Sequence, residues 1–170
     1  MFTTESTPLP SGVAAPRAAT FAELGLCDLS LRALDAEGYH TPTPIQTGAI
    51  PPALAGRDVL ACAQTGTGKT AGFLLPLLER LSASAPVRPG AIRALVLAPT
   101  RELAAQIAER AEAYGRGSRI KTALIYGGVG QRQQEHALAR RPDLLVATPG
   151  RLLDLMQQGS IRLDGVEVIV

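Results

Sequence analysis

No stretch of the sequence approaches the ~18 uncharged apolar residues that a membrane span requires. The N-terminus, MFTTESTPLPSGVAAPRAAT, lacks a basic segment leading into an apolar run, which excludes a secretory signal. Cysteine is scarce. Cys27 and Cys62 stand far apart without metal-ligand neighbours at zinc spacing, so they read as two reduced thiols in a cytoplasmic setting. Charge of one sign is also lacking: the net is +2, too small to argue for nucleic acid by itself. Any such function must come from motifs. No internal repeat is evident. What remains is 170 residues, 46 % hydrophobic, enough for the core of one domain.

Residues 1–20 are rich in Ser, Thr, Pro and Ala and are expected to be disordered. From Phe21 onward, helical and extended patterns alternate. Ser30 is expected to cap a short helix, 31–37, that Gly38 ends. Thr43-Pro44 is a cap followed by proline at the first helical position, predicting a helix over 45–50 that Pro51 and Pro52 punctuate. DVLAC (58–62) reads as a buried strand. The glycine turn 63–70 follows, then a helix over 69–81 with a kink at Pro76. Further strands are expected at 94–98, 122–126, 143–147 and 166–170, and helices at 101–115, 131–140 and 151–159. Apolar strands alternating with helices imply an α/β domain, a mainly parallel sheet with helices on both faces.

AQTGTGKT (63–70) sits between an expected strand and an expected helix, the context of a phosphate-binding P-loop. Gly66 and Gly68 let the backbone curl so that successive N–H groups face one centre, and the helix start adds its partial positive charge. Lys69 reaches the β and γ phosphates, and the Thr70 hydroxyl is a ligand for Mg²⁺. The general pattern begins with glycine. Here Ala63 stands there, which is compatible if its φ is negative. The loop with Ala63, Gln64, Thr65, Gly66, Thr67, Gly68, Lys69 and Thr70 predicts a nucleoside triphosphate but names neither base nor task.

Four further segments narrow the reading. GYHTPTPIQ (38–46) has the wording of a Q motif, with Phe21 seventeen residues before its glycine. PTRELAAQ (99–106), Gly127-Gly128 and TPGR (148–151) match motif Ia, the GG element and motif Ib in order and spacing. On these residues the chain resembles DEAD-box ATP-dependent RNA helicases of the bacterial type, over about Phe21 to Val170. The resemblance implies a RecA-like P-loop fold, with 21–49 as the Q-motif region and 50–170 as part of the helicase ATP-binding domain, incomplete at its C-terminal end.

A glutamine amide can donate to and accept from the N6/N7 edge of adenine, making Gln46 the candidate adenine selector. By resemblance, Phe21 stacks on the base and Thr43 links the motif to the P-loop. Tyr39 is open between a base contact and core packing, His40 and His136 read as exposed polar residues, and Glu102 as an internal hydrogen-bond partner. Pro99-Thr100-Arg101, Gly127-Gly128 and Thr148-Pro149-Gly150-Arg151 each follow an expected strand, and parallel sheets bind ligands at the carboxyl ends of their strands. Backbone N–H groups, hydroxyls and guanidinia there suit phosphates and read no base. By resemblance they hold the sugar–phosphate backbone of single-stranded or duplex RNA.

In the family, the strand corresponding to VEVIV leads into Asp-Glu-Ala-Asp, whose carboxylates hold Mg²⁺ through water and orient the attacking water. These 170 residues include neither that motif nor the second RecA-like domain. They are therefore expected to bind adenine nucleotide, with Mg²⁺, and RNA weakly, without turnover, and to leave an apolar sheet edge open at 166–170. Two alternatives are a non-helicase P-loop ATPase or kinase, which leaves the Q, Ia, GG and Ib segments unexplained, and a non-catalytic nucleotide-binding module.

Overall fold

The computed structural model of the chain describes residues 20–86 and 88–170. The segment expected to be disordered falls, through residue 19, outside them. The sheet consists of β1 (Ala94–Leu97), β2 (Thr122–Ile125), β3 (Leu144–Ala147) and β4 (Val168–Ile169), all parallel, in the order β2-β3-β1-β4. Around it lie α1 (Asp28–Ala36), α2 (Pro44–Leu54), α3 (Lys69–Ala83), α4 (Arg101–Tyr114), α5 (Gln131–Ala139) and α6 (Pro149–Gln157), with a 3₁₀ turn at Ala22–Leu24.

The central strands β3 and β1 are short aliphatic runs buried on both faces, apart from Leu97 at the end of β1, so successive side chains serve two cores. Ala94, Val96, Leu144 and Val146 belong to one cluster with Leu34 of α1, Ile50 of α2, Leu74 and Leu75 of α3, and Ile107 and Ala111 of α4. Leu95, Leu145 and Ala147 belong to the other, with Leu152 and Leu155 of α6 and, partly buried, Ala137 and Leu138 of α5. Each fully buried leucine contributes about 1.5–3 kcal/mol of transfer free energy. Three layers result, helix–sheet–helix, as the alternating pattern requires.

Several expected boundaries shift. The first helix starts at Asp28 and is capped at Cys27, whose backbone is extended at φ −74° and ψ 162°; Ser30 lies inside the helix and is buried. Helix α2 continues to Leu54 through Pro51 and Pro52. Proline fixes φ near the helical value, so it removes donors without forbidding the turn, and the Pro51 and Pro52 carbonyls still accept from Ala55 and Arg57. Helix α6 starts at Pro149, two residues before its expected start, with Thr148 at the cap. The helix α2 also runs across residues 49 and 50, so the Q-motif region and the remainder share one rod.

The strand expected at 58–62 does not form. Residues 57–64 have no regular structure, and Leu60 is 95 % exposed. A strand exists only where a neighbour takes its N–H and C=O groups. Among the described residues no strand lies beside this segment: β4, the last strand on one edge, pairs with β1 alone. The loop at 63–70 is held instead by helices α2 and α3.

Candidate functional site

The glycine turn enters α3 through two left-handed residues, Gly66 at φ +81° and Gly68 at φ +87°, the second being the N-cap. Ala63 has no positive φ, so the alanine at the head of the loop is unstrained, as its side chain requires. Thr67 Oγ1 donates to the Gln64 carbonyl at 2.8 Å and closes the turn on itself. The Lys69 ammonium folds back over the loop, donating to the carbonyls of Ala63 at 2.5 Å and Gln64 at 2.6 Å. Thr70 follows in the first turn of α3, half-buried. Thr65 and Gln64 are exposed at the outer bend.

Helix α2 is bolted to this loop by its own capping box. The Gln46 carbonyl Oε1 accepts from the Thr43 backbone N–H at 2.8 Å, the N3-to-cap half of the box. Both side chains then reach across: Thr43 Oγ1 donates to the Thr67 carbonyl at 2.8 Å, and Gln46 Nε2 donates to the Gly68 carbonyl at 3.1 Å. Gln46 is 2 % exposed. An amide has two N–H groups and two carbonyl lone pairs, so one donor and one acceptor remain after these bonds. The approach is close enough that a Cβ on Gly68 would lie 2.4 Å from Gln46 Nε2, a second reason besides φ for glycine there.

The two aromatic candidates are packed against other side chains. Phe21 is 4 % exposed within the buried cluster of Leu24 and Leu26, so almost none of its ring is open to a base; an apolar ring gains more among aliphatic side chains than at a wet rim. Tyr39 is 39 % exposed and meets Tyr114 of α4 edge to face, with centroids 6.5 Å apart. Burial first, and then Tyr39, push the Tyr114 phenol up to about 12. His40, beside Asp35 at 3.3 Å, and His136 are exposed. Glu102 is exposed in the first turn of α4 rather than internally bonded, where it favours the helix N-terminus.

The expected phosphate-holding residues come together along one rim. Pro99-Thr100-Arg101 follows β1, Gly127-Gly128 follows β2 and Thr148-Pro149-Gly150-Arg151 follows β3, at the carboxyl ends of three neighbouring strands. Thr100 caps α4, its Oγ1 accepting from Leu103 N–H at 3.2 Å. The Arg101 guanidinium lies on the glycine pair: a Cβ at Gly128 would be 2.3 Å from an Arg101 nitrogen, and Gly128 has φ +87°. Pro149, Gly150, Thr100 and Arg101 are exposed, whereas the Arg151 side chain is 15 % exposed and pairs with Asp154 of the next turn.

Sequence reasoning missed the residue that ties two of these segments. Gln134 of α5 is 2 % exposed. Its Nε2 donates to the Tyr126 carbonyl at 2.6 Å, just before the glycine pair, and its Oε1 accepts from Arg151 Nε at 3.0 Å. The available signal was its spacing, three and four residues before the inward-facing Ala137 and Leu138. A second omission, Arg93, is structural. It is 2 % exposed and donates to Glu167 at 2.7 Å, the Leu81 carbonyl at 2.7 Å and Ser84 Oγ at 2.6 Å, fastening β4 and the end of α3 to β1. The Arg93 guanidinium, by hydrogen bonding first, holds the Glu167 carboxyl below the usual glutamate range.

Among the described residues no helix is long and apolar enough to cross a membrane, and no group of three His, Cys, Asp or Glu side chains forms a metal cluster. Residues 43–170 match the family model described as DEAD/DEAH box helicase. The chain is 43 % identical over 151 residues to DEAD-box ATP-dependent RNA helicase CshA of Bacillus cereus, covering 89 % of this chain and 28 % of that protein. It is 47 % identical over 152 residues to DEAD-box ATP-dependent RNA helicase 28 of Oryza sativa, covering 89 % and 19 %. A crystal structure of a DEAD box protein from Methanococcus jannaschii superposes with a TM-score of 0.80 at 38 % identity, over 88 % of this chain and 40 % of that one. The chain thus spans about a quarter of the length of the first of these relatives.

Proposed function

Since the chain belongs to the DEAD/DEAH box helicase family, we propose that it forms the adenine-nucleotide site and part of the RNA grip of an ATP-dependent RNA helicase, in a cytoplasmic setting. The observation that carries this reading is the pair of hydrogen bonds from Thr43 to Thr67 and from Gln46 to Gly68, which make the Q-motif helix and the P-loop one unit. A base read by Gln46 would therefore be registered in the loop that holds the phosphates.

In this reading the loop amides of 64–70 cradle the β phosphate. Lys69 exchanges its two carbonyl partners for the β and γ phosphates, and the remaining donor and acceptor of Gln46 meet the adenine edge. Tyr39, part-exposed, is assigned to the base end of the site; Phe21, buried with Leu24 and Leu26, supports that end from the core rather than stacking on the base. The Thr70 hydroxyl would help hold Mg²⁺, which would supply charge neutralisation at the phosphates. Pro99, Thr100, Arg101, Gly127, Gly128, Thr148, Pro149, Gly150 and Arg151 hold RNA through its sugar–phosphate backbone. The 170 residues bind nucleotide without turning it over, because among the described residues the turns directly after β1, β2 and β3 carry no carboxylate that could orient an attacking water.

The test severs the bridge between motif and loop. Thr43→Val removes the bond to Thr67 and keeps the shape. ADP affinity should fall by about 0.5–1.5 kcal/mol, roughly 2–10-fold. Unchanged ADP affinity in a folded Thr43→Val chain would contradict the unit, and RNA-stimulated phosphate release by the 170 residues would contradict the absence of turnover.

A further inference from the structure

Between residues 115 and 141 stand six arginines and lysines (Arg116, Arg119, Lys121, Arg132, Arg140, Arg141) and one glutamate, Glu135, although the whole chain carries only +2. The positive charge of this protein is therefore concentrated at one end of the sheet, around the edge strand β2 and helix α5. On α5 and its C-cap, Arg140, the pattern is regular. Arg132, His136 and Arg140 follow one another at four-residue steps, all exposed, and so form a single stripe. At 1.5 Å per residue the stripe is about 12 Å long. Among the described residues neither Arg132 nor Arg140 forms an ion pair.

The stripe has a shape and a starting point. Arg132, Gln133, His136, Ala137 and Arg140 line an open groove of about 490 Å³. Ala137 and Arg140 also border a second groove of about 290 Å³ that carries on to Lys121 and Thr122, with Glu112 on its far wall. Lys121 is held at this junction by donating to the Arg140 carbonyl at 3.2 Å. The upper end of the stripe begins four residues after Gly128, at the rim already described. A basic groove continuous with a phosphate-holding rim suits the same polyanion that the rim holds.

We propose that the outer face of α5 is an accessory track for the RNA phosphate backbone, carrying the strand past the Gly127-Gly128 turn along Arg132, His136 and Arg140 toward Lys121. This rests on the reading of the rim as an RNA grip. The contact is electrostatic and independent of sequence, since guanidinia and an ammonium on a helix face meet phosphates and no base edges. Glu112 marks where the track stops favouring an anion.

The test compares wild type with Arg132→Ala/Arg140→Ala in the 170-residue chain, using fluorescent oligouridines of two lengths: one that spans only the rim and one long enough to continue over α5. Far-ultraviolet dichroism and ADP binding control for folding. Removing two phosphate contacts should reduce the slope of log affinity against log salt by about 1.4 for the long RNA, following ~0.7 per phosphate for single strands. Short-RNA binding should be unchanged, whereas Arg101→Ala should weaken both lengths. Equal slopes for wild type and the double variant on long RNA, with short RNA still bound, would overturn the track and leave the rim intact. Failure of wild type to bind either RNA would overturn both. Loss of polyglutamate binding without loss of long-RNA affinity would reassign the face to an acidic protein.

Discussion

Gly68 shows how one residue can serve two structures. It caps α3 at φ +87° and lets Gln46 Nε2 approach to where a Cβ would lie at 2.4 Å. Gly68→Ala should cost about 1–3 kcal/mol of stability from left-handed strain alone, read as a lower denaturant midpoint. ADP affinity should fall with it, because relief of the contact moves Gln46. Gln134 makes a similar case at the rim. Gln134→Met fills the same volume but leaves the Tyr126 carbonyl and one Arg151 N–H without partners, at about 1–3 kcal/mol if neither rehydrates. RNA affinity should drop while ADP affinity stays at the wild-type value. Equal RNA affinity in both chains would mean that Arg151 needs no such support. The turn at Gly68 was legible beforehand; its contact with Gln46 and the role of Gln134 were not. A polar amide in QRQQEHALAR looks like its neighbours until tertiary structure shows which one is buried, and a buried arginine such as Arg93 is recognised only by the carbonyl and carboxylate it meets.

Elements were more legible than their ends. The aliphatic runs that became β1, β2 and β3 and the helical spacing of α3 and α4 are local properties, and they fold where the pattern puts them. The start of α6 follows the Thr-Pro rule that identified the start of α2, but Thr148-Pro149-Gly150 also suits a turn, and the sequence does not choose between them. DVLAC failed for a different reason. Its composition is that of a strand, and strandhood requires a neighbour that composition does not supply. The outcome is an exposed apolar segment, with Leu60 at 95 %, and a short β4 edge with Ile169 at 64 %. Such surfaces promote self-association. Leu60→Glu should therefore leave the melting temperature within experimental error and raise the concentration at which light scattering appears. Greater scattering would show that the segment is covered in solution. At the β4 end, the Arg93–Glu167 pair sets an acid limit. Because the folded state lowers the Glu167 pKa, its stabilisation is present above the usual glutamate value of ~4.3 and is lost as pH falls through the lower folded-state value. Glu167→Gln should flatten that part of a stability–pH curve; a curve superimposable on wild type would remove the pair from the account.

For the whole molecule, the two proposed functions fall on different elements. The nucleotide loop depends on α2 and α3, while the rim depends on strand ends and on Gln134. Family and fold were readable because Gly-x-Gly-Lys-Thr, the Q motif and the rim motifs are short, ordered and chemically specific. The position of Phe21 was not, since an apolar ring suits a core as well as a base, and here the core holds it. In the proposed site, joining Gln46 to the P-loop makes the nucleotide pocket adenine-selective. Calorimetric titration of ADP and GDP, with Mg²⁺, into wild type, Lys69→Ala and Gln46→Ala measures that selectivity. ADP should bind and GDP should not; Lys69→Ala should weaken ADP by about 10-fold or more, and Gln46→Ala should reduce the preference for adenine by about 1–3 kcal/mol. A folded chain that binds GDP as well as ADP, or that binds neither, would contradict it.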